Sequence, residues 1–177
     1  MKTGIKKFKN VLDTDTCNAL INIIENNLDK AVDYPVYEHR QNVIRKEMPI
    51  IAADVDDIVH KALEKTLLEY QDDYRYLSAT RDIGFVLRKI SGATREHVDV
   101  KQDLDSRNLS IIVGLNSDYE EGTFHFPYQE YTTTVKQGEA IIFPVWFPYP
   151  HYVDAPIGYR YTVHTWLQYY LRRPFIA

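Results

Sequence analysis

From Asp72 onward the sequence breaks into short segments rich in β-branched and aromatic residues, separated by turn signals. The segments are Asp82–Ile90, Asn108–Leu115, Gly122–Pro127, Tyr131–Val135, Glu139–Phe143 and Arg160–Tyr170. Ser91-Gly92, Asn116-Ser117, Gln137-Gly138, Pro148 to Pro150 and Pro156 to Gly158 punctuate them. Strands this short bury their apolar faces only against one another, which predicts a sandwich, jelly roll or barrel.

The first part of the chain reads differently. Asp13, Thr14, Asp15 and Thr16 form a cluster of capping residues ahead of an apolar periodic run, so a helix is expected over Cys17–Leu28. A second helix is expected from about Asp54 to Tyr70, with Val55, Ile58, Val59, Ala62, Leu63, Thr66 and Leu67 on one face. Between them, residues 30–53 show little periodicity and carry the breakers Pro35 and Pro49. Helices that precede the strands without alternating with them argue against a doubly wound α/β fold. The expectation is one α+β domain over 1–177, with 1–75 as mostly helical support and 76–177 as a β-rich catalytic core.

Composition narrows the function classes. The chain has 177 residues, 45% of them hydrophobic, enough for a substantial core. Its formal net charge is -4, and the one basic cluster, Lys6, Lys7 and Lys9, is short enough to be a solvated strand edge. No nucleic-acid partner is expected. The start, MKTGIKKFKN, lacks the apolar stretch of a signal peptide, and no run approaches membrane-spanning length. A soluble, cytoplasmic protein is therefore expected. Cys17 is the single cysteine and falls in the first helical pattern, where a small buried residue fits.

His97-Val98-Asp99 places an imidazole and a carboxylate two residues apart, on one face of an extended backbone. Two imidazoles and one carboxylate on one face of an octahedron suit iron(II) and leave positions for other ligands. A single such pair is weak, because it also describes a surface strand with two polar residues in solvent. The C-terminal context strengthens it. His151 follows Trp146-Phe147-Pro148-Tyr149-Pro150, and nine residues later Arg160 opens a strand. Period two puts Arg160, Thr162, His164 and Trp166 on one face, with Tyr161 and Val163 on the other. An inward Arg and Thr make a clamp suited to a carboxylate. The alternative for Arg160 is an exposed edge position or an ion pair with Asp154.

With these pieces in order, the sequence resembles the prolyl 4-hydroxylase-type branch of the 2-oxoglutarate/Fe(II) dioxygenases. The resemblance spans residues 82–170 through GFVLRKISGATREHVD, RNLSIIVGLN, EGTFHFP, VKQGEAIIFP and HYVDAPIGYRYTVHTWLQY. It implies a double-stranded β-helix (a cupin-like jelly roll) braced by the N-terminal helices. It also implies oxidative decarboxylation of 2-oxoglutarate to succinate and CO₂, coupled by O₂ to hydroxylation of a second substrate. By position, His97, Asp99 and His151 are the implied iron ligands and catalytic residues, and Arg160 the anchor for 2-oxoglutarate. Ascorbate is an auxiliary cofactor that the resemblance admits. Asp99 keeps the carboxylate that family halogenases lose, which favours hydroxylation.

The sequence departs from the family at two places. Where members often carry a Tyr just before the turn leading to His-x-Asp, Lys89 stands; where some carry one in the following strand, Gly114 stands. Thr162, Lys89 and His164 are accordingly the further candidates for cosubstrate contacts, although a solvated Lys89 and a core His164 are the ordinary alternatives. His125 is the rival metal ligand, whereas His39 and His60 lie in the helical half. Trp146, Phe147, Tyr149 and Tyr152 bracket His151 and could form a substrate lip. The substrate is expected to be a peptidyl proline, a free amino acid or a small metabolite, with specificity in loops such as 30–50 and 144–150. A cupin-like metal protein, or a module binding a sugar or small acid, is the rival without oxygenase chemistry. The oligomeric state is open.

Overall fold

The computed structural model describes residues 3–34, 45–49, 53–75, 77, 80–100 and 107–169. The chain begins with a short strand, β1 (Lys6–Phe8), and a helix, α1 (Thr14–Asn26). Asp13 caps α1 by accepting a bond from the Thr16 amide at 2.7 Å, so the helix starts three residues before the apolar run. Its buried residues, Cys17, Leu20 and Ile24, repeat at helical spacing.

Residues 30–53, which lack periodicity, nevertheless contribute two strands, β2 (Val32–Tyr34) and β3 (Arg45–Pro49). They form an antiparallel ribbon at one edge of the large sheet, where a proline is tolerated. Helix α2 (Ala53–Asp73) follows, with Val59, Leu63, Leu67 and Tyr70 buried. The segment expected as one strand over 82–90 is two, β4 (Thr80–Asp82) and β5 (Val86–Ile90), broken where Gly84 takes a φ of 90°. The remaining strands are β6 (Thr94–His97), β7 (Arg107–Gly114), β8 (Glu120–Glu121), β9 (Phe124–Phe126), β10 (Tyr131–Thr133), β11 (Ala140–Pro144), β12 (His151–Val153), β13 (Pro156–Ile157) and β14 (Arg160–Tyr169).

The large sheet runs β1-β11-β7-β14-β5-β3-β2, with β4 also paired to β14; a second runs β10-β9-β12-β6, and β13 pairs with β8 in a two-stranded ribbon. All the strand ladders between named strands are antiparallel. Together they make the double-stranded β-helix. Each face of the large sheet has its own core. Leu87, Leu109, Ile111, Val113, Val163 and Leu167 pack under α1 and α2. On the opposite face Ile112 and Ile141 meet Phe124, Phe126, Phe143 and Val153 from the inside of the fold. Strand β7 shows the division clearly: alternate residues go to alternate cores, as period two requires. Among the described residues, no helix is long and apolar enough to cross a membrane.

Candidate active site

The inward face of β14 continues this alternation. Val163 and Leu167 join the helix-side core, which sends Arg160, Thr162, His164 and Trp166 to the interior. Arg160, Thr162 and His164 are each no more than 3% exposed. Arg160 donates to the Gly122 carbonyl at 3.4 Å, and its guanidinium lies 4.9 Å from the centre of the Phe124 ring. Thr162 Oγ1 is buried without a hydrogen-bond partner among the described residues. A buried hydroxyl in that state is costly unless a ligand completes it. His164 Nε2 is 2.7 Å from Ser110 Oγ, across the sheet on β7.

Strands β6 and β12 form the opposite wall. They pair so that His97 and His151 are direct partners, with ring centroids 4.4 Å apart. Asp99 follows two residues after His97, the last residue of β6. Its Oδ1 lies 3.1 Å from His97 Nε2 and 3.9 Å from His151 Nε2. The three ligand atoms all fall within 4.8 Å of one another, and the group is one that could hold a metal ion.

Proton placement decides whether a cation fits there. His97 Nδ1 is 2.8 Å from the Arg95 carbonyl, and His151 Nδ1 is 3.3 Å from the Tyr149 carbonyl. A carbonyl only accepts, so each Nδ1 carries a proton, which directs Nε2 of both rings toward Asp99 and leaves it to ligate a metal once any second proton is lost. Burial pushes the His151 imidazole below its ordinary pKa, against the pull of Asp99. Burial alone would raise the Asp99 carboxyl. The hydrogen bond with His97 and the charges of His151, His164 and His97 outweigh it and hold the group well below the usual carboxylate range. Two imidazole Nε2 atoms and a carboxylate thus converge on one point, and a second buried oxygen, Asp99 Oδ2, has no partner among the described residues. One proton cannot satisfy all of them; a divalent cation can. Ligands about 2.1 Å from an ion at right angles lie about 3 Å apart, near the 3.1 Å of His97 and Asp99 and shorter than the 3.9 Å of His151 and Asp99.

His97, Asp99 and His151 line the same cavity as Arg160 and His164. Its walls are completed by Arg88, Ile90, Ile112, Phe124, Val153 and Trp166. His97, with 39% of its side chain exposed, faces the opening, whereas Asp99 and His151 are buried.

Several expectations are corrected. Lys89 does not reach the cavity: its ammonium binds Glu25 Oε1 of α1 at 2.8 Å and lies over the Tyr159 ring. The pairing of β5 with β14 sets this, because Lys89 lies opposite Tyr161 on the helix side, while Arg88 lies opposite Thr162 on the inside. Arg88, only 6% exposed, is therefore the cavity residue, and the sequence reading missed it by one position. Arg107 was missed as well. It donates to the Asp99 carbonyl at 3.2 Å and stacks 4.2 Å from the centre of Trp166. His125 points outward, bound to Asp154 at 2.6 Å and stacked on Tyr152. That contact removes His125 as a rival ligand, Asp154 as a partner for Arg160, and Tyr152 from the lip. His60 binds Asp82 away from the site, and His39 lies outside the described residues, as does most of the 30–50 loop. Phe147 is largely exposed, and Trp146 donates to the Arg107 carbonyl at 3.2 Å. A larger cavity of about 610 Å³, bordered by Tyr70, Tyr74, Leu109, Trp146 and Tyr149, contains none of the predicted ligands.

The sequence matches no family model, and no curated protein matches it. Solved structures do resemble it. A viral collagen prolyl hydroxylase from Paramecium Bursaria Chlorella virus-1, in its 2OG complex, superposes with a TM-score of 0.73 at 16% identity, covering 95% of this chain and 97% of that one. A Pseudomonas putida prolyl-4-hydroxylase gives 0.72 at 18% identity, covering 94% and 93%. A prolyl hydroxylase from Trichoplax adhaerens, bound to a peptide fragment of a hypoxia inducible factor oxygen degradation domain, gives 0.71 at 13% identity, covering 94% and 84%. The chain therefore has the double-stranded β-helix fold of the prolyl hydroxylase-like 2-oxoglutarate/Fe(II) oxygenases.

Proposed function

We propose that this chain is an iron(II)- and 2-oxoglutarate-dependent oxygenase that hydroxylates a peptide or small molecule. The observation that carries the reading is the convergence of two imidazoles and a buried carboxylate in one cavity with the buried Arg160. His97, Asp99 and His151 would hold the iron, and Arg160 with Thr162 the distal carboxylate of 2-oxoglutarate. Bound there, iron with its cosubstrate supplies O₂ activation coupled to loss of CO₂ and formation of succinate.

The residues of the chain do the positioning. The Arg95 and Tyr149 carbonyls fix the tautomer and angle of the two imidazoles. Asp99 offsets part of the metal's charge, and its backbone is held by Arg107. Arg160 offers a planar fork to a carboxylate, and Thr162 offers a hydroxyl that has no other partner among the described residues. Ile90, Ile112, Phe124 and Val153 keep water from the space between, which strengthens each charged contact there. The test is succinate release from 2-oxoglutarate in air, with iron(II), across a panel of peptides, amino acids and small acids. The expected result is iron-dependent succinate formation that His97→Ala abolishes. Metal binding with no succinate from any panel member would refute the oxygenase reading.

A further inference from the structure

Trp146 and Tyr149, from the loop that delivers His151, wall the second cavity, whose volume of about 610 Å³ suits an organic group. Tyr70 of α2 and Tyr74, just past its end, supply further walls. The tyrosine tips gather at the Gly4 backbone. Tyr70 donates to the Gly4 carbonyl at 2.7 Å, and the Gly4 amide donates to the Tyr74 hydroxyl at 3.0 Å. The Tyr149 hydroxyl is close by, since a Cβ on Gly4 would lie 2.6 Å from it. With their tips turned to Gly4, these tyrosines offer the cavity ring surface. Trp146 adds a half-exposed ring whose indole N–H is fixed on the Arg107 carbonyl.

The rim of this cavity is negative. Helix α2 ends at Asp73 with no basic residue in its last turn, so two carboxylates, Asp72 and Asp73, meet the carbonyl end of the helix there. Carboxylates at that end oppose the helix dipole and favour a nearby cation. Lys6 of β1 answers Asp73 at 2.9 Å and Glu69 at 3.3 Å, and the exposed Asp72 takes no part in that pairing. Arg75 is the one basic residue among the described lining residues. Trp and Tyr rings attract cations through their negative faces. Ring walls beside an acidic rim therefore suit a lysine or arginine side chain, whose stem packs on the rings while its head stays by the carboxylates.

The ring surface also continues out of the cavity, because Phe147 beside Trp146 is largely exposed. A free amine fills the cavity alone, whereas a peptide with a basic side chain covers the loop as well. The same loop reaches the metal site. The Tyr149 carbonyl lies 3.3 Å from His151 Nδ1, and Arg107, whose carbonyl holds Trp146, donates to the Asp99 carbonyl.

We propose that this cavity binds a lysine or arginine side chain of a peptide, as an anchor remote from the metal triad. As a binding site it stands apart from the oxygenase reading. As the anchor of the hydroxylated substrate it rests on that reading, and makes the substrate a basic peptide.

The experiment follows the fluorescence anisotropy of labelled, end-capped peptides titrated with the chain loaded with manganese(II) and 2-oxoglutarate. The peptides share one Gly-Ala host sequence and differ at a single position, which holds lysine, arginine, norleucine, citrulline or glutamate. The lysine and arginine peptides should bind about fivefold or more tightly than their neutral counterparts, and the glutamate peptide most weakly. In Trp146→Ala and in Asp72→Asn that preference should fall to within about twofold. Trp146→Phe, which keeps a ring, should retain more of it. Because the readout is a ratio within each variant, a loss of folded protein does not mimic the effect. Neutral peptides that bind as well as charged ones, no binding by any peptide, or an unchanged preference in both variants would overturn the proposal. So would n-butylguanidinium that displaces the label as effectively as the arginine peptide, since the occupant would then be a free cation. Succinate release, read separately with iron(II) in air, tests the other reading. Charged peptides that bind as expected while no 2-oxoglutarate is consumed would overturn the oxygenase and leave the binding site standing.

Discussion

His97 and His151 are direct partners across an antiparallel pair, β6 and β12, with their rings 4.4 Å apart. Two distant stretches of sequence thus deliver their imidazoles to one point through strand register alone. The backbone carbonyls of Arg95 and Tyr149 then hold each ring in the tautomer that ligates through Nε2.

Metal should stabilise the fold measurably. At a concentration about 100 times its Kd, manganese(II) or iron(II) contributes about 2.7 kcal/mol to the folded state. For a domain of this size that raises Tm by about 5–10 °C. His151→Ala should lose the shift in a thermal melt, and an equal shift in the variant would place the metal elsewhere.

Removing the anchor should act on the cosubstrate. Arg160→Gln is expected to raise the KM for 2-oxoglutarate about 10–100-fold, the range for one charged contact. Thr162→Val, losing a neutral bond, should raise it about fivefold. Initial rates over a range of 2-oxoglutarate concentrations check both, and an unchanged KM in Arg160→Gln would contradict the assignment.

Lys89 is predicted to be irrelevant to turnover. Lys89→Met breaks a partly exposed ion pair with Glu25, which contributes about 0–1 kcal/mol. The KM for 2-oxoglutarate should stay within about twofold of wild type. A large rise would mean that Lys89 reaches the cosubstrate after all.

Glu139 supplies an acid-sensitive contribution to stability. Burial would raise its carboxyl pKa, but the Lys136 amide and the Lys7 ammonium at 2.9 Å outweigh it and hold the group below its ordinary value. A folded pKa below the unfolded one gives stability that is present above the unfolded value, about 4.3, and lost as pH falls through the folded value. Glu139→Gln should therefore be less stable than wild type at pH 7 by about 1 kcal/mol. In denaturant melts the gap should close below about pH 4; a gap that persisted there would point to packing instead.

Much of the site was legible because β14 alternates strictly. Once Val163 and Leu167 are taken as core, Arg160, Thr162 and His164 must face inward. Strand β5 offers no such guide. In Val-Leu-Arg-Lys-Ile the apolar residues fall on both faces, so only the pairing with β14 shows that Arg88 points in and Lys89 out. Gly114 illustrates a second limit. A Cβ there would lie 2.5 Å from the Lys136 carbonyl oxygen, so no tyrosine fits, and the crossing backbone that forbids it comes from a distant turn. Strands β6 and β12 escaped detection because they are short and carry ligands where a strand pattern would carry apolar residues. Arg107 sits at a strand end, and its contact with the Asp99 carbonyl joins residues eight apart that no strand pattern links.

The central claim is that iron and 2-oxoglutarate bind together at His97, Asp99 and His151. An anaerobic titration tests it most directly, adding 2-oxoglutarate to the iron(II)-loaded chain and recording the visible spectrum. A weak charge-transfer band should grow with cosubstrate and saturate at one equivalent per chain, and it should be missing in His151→Ala. No band in the wild type, or the same band in the variant, would contradict the account.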